Sequence, residues 1–99
     1  MSAEPGSAHP RPASIGLMQV VAAARETVAF FTELSVDQVA SCAAAEDGWR
    51  VVVDVVESRA RVGDNDLLAA YEVRLDATAT VTRIERLGRY HREDREGVR

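Results

Sequence analysis

One block constrains this chain more than any other: Gly48-Trp49-Arg50-Val51-Val52-Val53-Asp54-Val55-Val56-Glu57. Trp49, Val51, Val53 and Val55 are all apolar, and they alternate with Arg50, Val52, Asp54, Val56 and Ser58, a mixed set. Alternation of period two marks a strand with one face on a core and the other half open. The preceding Glu46-Asp47-Gly48 is a hairpin turn signal. The chain's single Trp sits beside that turn, which predicts a sheet with something packed over one face rather than a lone hairpin. Trp49 is then structural, and a partner is to be sought on the even positions.

The cover is legible upstream. Over residues 15–33, Leu17, Val20, Val21, Ala24, Val28 and Phe31 fall within about 100° of one another on a helical wheel. Gln19, Glu26 and Glu33 lie opposite, and Ser14 is a candidate N-cap. Phe30 falls on the polar side and is read as folding back onto a loop rather than as an exposed anchor for a partner.

Residues 35–46 carry two signals. Ser35-Val36-Asp37-Gln38 resembles a capping box for a second helix, whereas the turn at Gly48 demands a first strand. A strand over 39–45, preceded at most by one helical turn, satisfies the hairpin. Residues 67–75 and 81–91 form a third and a fourth strand, separated by a turn at 76–80. Strict alternation in the fourth sets Arg83, Glu85, Leu87 and Arg89 on one face, and Ile84, Arg86, Gly88 and Tyr90 on the other. The expected fold is α+β: an N-terminal amphipathic helix packed on a four-stranded antiparallel meander sheet. Residues 1–13, which hold all three prolines, are expected to be a disordered leader, 14–91 the domain, and 92–99 a charged flexible tail.

Ninety-nine residues make one small domain. Such a domain buries only about 60–65% of the surface its unfolded chain exposes, which leaves little room for a deep cleft. One cysteine, Cys42, excludes an internal disulfide and is read as a small core residue; a reducing, cytoplasmic setting is expected. His9 and His91 lack partners for a catalytic arrangement, and Asp64-Asn65-Asp66 lacks the rest of a calcium loop. No catalytic, cofactor or metal site is expected, and the chain reads as a non-enzymatic binding or assembly module. All twelve basic residues are Arg; residues 83–99 hold six against four acids, whereas the rest holds six against twelve. A basic last strand on an acidic body is either a docking surface for an acidic protein or a solvated face. The net charge of −4 argues against nucleic acid.

Several of these segments resemble the gas vesicle protein O (GvpO) family. They are Glu46-Asp47-Gly48-Trp49-Arg50-Val51, then Leu68-Ala69-Ala70-Tyr71-Glu72-Val73-Arg74-Leu75-Asp76, then Arg86-Leu87-Gly88-Arg89-Tyr90, and the likeness spans residues 15–91. The chain departs from that pattern after Asp76, where Ala77-Thr78-Ala79-Thr80 stands in place of a Gly-containing turn, and in having fewer Arg-Arg pairs in the last strand. The resemblance implies a cytoplasmic accessory protein of gas vesicle assembly, without a cofactor, whose partners are other gas vesicle proteins. Actinobacteria are among the implied sources, in keeping with the Arg-only, Ala-rich composition. The expected partner-binding face carries Arg50, Val52, Asp54, Val56, Glu72 and Arg74, bordered by Arg83, Arg86 and Arg89. The contrasting expectations are a solvated face, a homodimer interface, a cystatin-like ligand pocket lined by Trp49 and Tyr71, or an RNA-binding regulator.

Overall fold

The structure, a computed structural model, describes residues 16–97, with side chains through Asp94. The expected leader 1–13 and N-cap Ser14 lie outside the described residues. Helix α1 (Leu17–Thr32) precedes strands β1 (Val36–Ala45), β2 (Gly48–Ser58), β3 (Leu67–Asp76) and β4 (Val81–His91), and a short helix α2 (Arg92–Gly97) follows. The strands pair antiparallel in chain order, and α1 touches all four of them. The expected α+β meander with its covering helix is the architecture observed.

The packed stripe of α1 is narrower than the wheel suggested. Val20, Ala24 and Val28 are fully buried against Val51, Val53 and Val55 of β2 and Ala69, Val73 and Leu75 of β3. A fully buried valine stabilises by about 1.5–3 kcal/mol. Leu17 and Phe31 belong to the same stripe but occupy the outermost turns, and they are 53% and 63% exposed. Phe30 does not fold back onto a loop: it is 86% exposed. The helix stops because Glu33 turns left-handed (φ 60°) and returns its N–H to the Ala29 carbonyl at 2.9 Å.

The first strand begins at Val36, with no helical turn before it. Its pairing with β2 slips between Val36 and Gln38 and again between Val39 and Ser41, so Asp37 and Ala40 are bulge residues. Val36, Val39 and Cys42 therefore all pack toward the core, three residues apart. Bulges also twist this sheet edge away from foreign strands.

The turns are built differently from one another. Gly48 opens β2 after the Glu46-Asp47 turn, beside the Leu75 carbonyl. Between β3 and β4, Asp76 Oδ1 accepts from Thr78 N (2.9 Å), Thr78 Oγ1 (2.7 Å) and Thr80 N (3.0 Å). Those bonds hold Ala79 at φ 67°, where a glycine would sit without strain.

Candidate functional site

Antiparallel register sets the rows of the sheet face that α1 leaves uncovered. Arg50 lies opposite Arg74, and Arg74 opposite Arg83, so three arginines cross β2, β3 and β4 in one line. The next row is Ser41, Val52, Glu72 and Glu85. Glu72, nearly buried, bonds Arg50 Nη1 at 3.0 Å and lies 3.6 Å from Arg74 Nε, while Glu85 pairs Arg83 at 3.3 Å. The arginine side chains stay open to solvent, 48% for Arg50 and Arg74 and 67% for Arg83.

The other half of this face is closed, not half open. Asp54, Val56 and Leu68 are buried, and Tyr90 donates its hydroxyl to Asp54 Oδ2 at 2.5 Å. Of the residues expected to meet a partner, Arg50, Val52, Glu72, Arg74 and Arg83 form the accessible end, with Glu72 beneath the arginines. Asp54 and Val56 belong to the buried end.

Arg86 and Arg89 point away from that face. Strict alternation in β4 fails because the register slips between Ala70 and Tyr71, leaving Leu87 as an extra residue. Beyond Leu87 every side chain changes sides: Arg89 now lies opposite Ala69 and Tyr90 opposite Leu68. Arg86, which precedes the slip, is already on the helix side opposite Tyr71, and with Arg89 it reaches over β3 to clamp Glu57, at 2.9 and 3.2 Å. The hydrogen bond from Arg89, with that from Arg86, holds the Glu57 carboxyl below its ordinary range.

Arg92, expected in a charged flexible tail, heads helix α2 and ties the end of the sheet. Its guanidinium meets Asp37 in β1 at 2.9 Å, Asp66 at 3.0 Å and the Asp64 carbonyl at 3.0 Å. Asn65 Oδ1 accepts from Glu93 N at 2.9 Å. The Asp66 carboxyl is held below its usual range, first by the Ala60 backbone N–H and then by Arg92. The acidic run Asp64-Asn65-Asp66 thus serves as the receptor for the start of α2. The signal available in the sequence was weak: a bulge aspartate and a loop aspartate, far apart along the chain.

The remaining chemistry is sparse. Cys42 packs beside the core, and burial pushes its thiol up, away from the reactive thiolate. Among the described residues, no group of three or more His, Cys, Asp or Glu is placed to hold a metal ion. No helix of the described residues is long and apolar enough to cross a membrane. An open groove of about 390 Å³ lies at the turn end of the sheet, lined by Trp49, Arg74, Asp76, Thr82 and Arg83 among others. Tyr71 is absent from its lining and packs instead against the core.

Residues 3–96 match the family described as gas vesicle synthesis protein GvpO. The chain is 40% identical over 82 residues to gas vesicle protein O of Haloferax mediterranei, covering 82% of this chain and 59% of that protein. It is 35% identical over 92 residues to gas vesicle protein O1 of Halobacterium salinarum, covering 93% and 77%. It is 41% identical over 76 residues to gas vesicle protein O of a Streptomyces species, covering 76% and 59%. The chain thus spans about three fifths of the length of two of these relatives. No solved structure matches. The family match covers nearly the whole chain, and the motifs that first suggested it lie on the described sheet, so the chain belongs to the gas vesicle synthesis protein GvpO family.

Proposed function

We propose that this protein is a non-enzymatic accessory factor of gas vesicle assembly that binds other gas vesicle proteins through the open end of its sheet, in a chaperone-like or regulatory role. The observation that carries the reading is the row Arg50, Arg74 and Arg83, charged and accessible on a face that the protein's own helix does not use. Family membership supports the gas vesicle setting. Small domain size and a core filled by valines support binding over catalysis. Subunits that assemble into a shell expose apolar and strand-forming surface beforehand, and a reversible cover prevents premature association. On this reading the protein works in the cytoplasm, alone or as a homodimer, without cofactor, membrane or nucleic acid.

The test is a gas vesicle gene cluster expressed with and without this chain. Loss of vesicles, or accumulation of aggregated vesicle protein, is expected when the chain is absent. Vesicles of normal number and shape without it overturn the reading.

A further inference from the structure

Three arginines in direct cross-strand register are an arrangement that the fold does not need. Like charges placed opposite one another on a sheet destabilise it. Here the repulsion occurs twice, between Arg50 and Arg74 and between Arg74 and Arg83. Glu72 serves two of the three arginines, and Glu85 serves the third. The two rows together hold three positive charges and two negative ones, at the exposed end of a chain whose net charge is −4. We infer that this arginine ladder is the recognition site for an acidic segment of a partner protein, whose carboxylates complete the neutralisation that Glu72 and Glu85 leave unfinished. The inference rests on the assembly-factor reading and adds the chemistry of what is bound.

Spacing favours a helical segment. Neighbouring strands stand about 4.8 Å apart, so the three arginines are spread over about 10 Å across the strands. Acidic residues one helical turn apart have Cβ atoms about 5–6 Å apart, a close match. Alternate residues of an extended chain are about 6.7 Å apart, a poorer one. The neighbouring positions Ala43, Ser41 and Val52 are small and let a helix lie close. Arginine's planar fork suits carboxylates, which it can hold with paired hydrogen bonds.

Two other occupants fit less well. A second copy presenting the same face would set one ladder against another. A nucleic acid needs free aromatic faces for stacking, whereas Trp49 packs against the core and Tyr90 is tied to Asp54.

The chain carries its own reporter. Trp49 is its only tryptophan, and it lines the groove that Arg74 and Arg83 also line. Titration of the full chain with a poly-L-glutamate peptide at low salt is expected to change Trp49 fluorescence. Arg74→Gln with Arg83→Gln should weaken binding about tenfold, the sum of a few exposed ion pairs. Arg61→Gln, a charge loss in the β2–β3 loop, should leave it unchanged. Glu85→Gln, which frees Arg83, should tighten binding, a gain that a merely structural role for these residues does not produce. The melting temperature of the double variant should hold or rise, because cross-strand repulsion is relieved.

Equal poly-glutamate affinity in the wild type and the double variant overturns the inference. So does preferential binding of poly(U) RNA through the same arginines, or a wild-type dimer that the double variant dissolves. None of these outcomes touches the vesicle role, which the gene-omission experiment tests separately.

Discussion

A methyl group added at Gly48 would lie 1.9 Å from the Leu75 carbonyl oxygen and 2.8 Å from the Asp76 Cα. Both are backbone atoms of the neighbouring strand, which cannot yield as a flexible side chain would. Gly48→Ala is therefore expected to cost about 2–3 kcal/mol, read as a lower urea midpoint at unchanged slope. Ala79 presents the opposite case, since its φ of 67° strains a residue with a Cβ. Ala79→Gly should stabilise by about 0.5–1 kcal/mol, the relief of strain exceeding the added freedom of the unfolded chain. The sequence marked Gly48 as a turn signal, and the family resemblance marked only the 77–80 turn, as lacking a glycine, without singling out Ala79. The sequence could not show that Gly48 is needed for closeness to β3, because Leu75 is distant along the chain.

At the scale of elements, pattern reading succeeded where the backbone was regular and failed where it was bulged. In β2 the alternation from Trp49 to Val55 maps directly onto the covered face. In β1, two bulges place the inward residues Val36, Val39 and Cys42 three apart, a spacing that imitates a helix. In β4, one extra residue at Leu87 exchanges the faces of Arg89 and Tyr90. Slips of one residue reverse the side to which everything beyond them points; Gly88 (φ 157°), beside Leu87, is a local mark of the slip in β4, whereas Asp37 and Ala40 in β1 carry no such mark. Helix α1 allows a direct comparison between its middle and its ends. Val28→Ala should cost about 2 kcal/mol, whereas Phe31→Ser should fall within about 0.5 kcal/mol, measured by chemical denaturation. Arg92→Met should lower the melting temperature more than Arg61→Met and speed amide exchange in the 59–66 loop, because Arg92 joins Asp37, Asp66 and the Asp64 carbonyl.

For the whole molecule, acid should act through carboxylates that their partners hold charged, three of them among the described residues. Glu57, Asp66 and Asp76 all have folded pKa values below their ordinary ones, Glu57 first through Arg89, Asp66 through the Ala60 N–H and Asp76 through the Thr78 hydroxyl. A depressed folded pKa means that the unfolded chain binds protons more readily near pH 4. Stability is thus full above about pH 5 and lost as pH falls through the carboxylate range, which thermal melts across pH 3–7 would show. The Asp76→Asn variant should lose part of that acid dependence. The fold and family were legible in the sequence because they depend on one helix and four strands in order. The accessible end of the sheet was legible only in part, because register brings Arg50, Arg74 and Arg83 together from three strands, alternation sets Arg86 on the other side, and the bulge at Leu87 turns Arg89 there as well. The central claim, that this end binds other gas vesicle proteins, is tested most directly by co-purification. The full chain and its Arg50→Glu, Arg74→Glu, Arg83→Glu variant would each be recovered from cells expressing the whole gas vesicle gene cluster. The wild type should bring other vesicle proteins with it and the folded variant none; recovery of the same proteins in the same amounts by both would rule out binding through this end of the sheet.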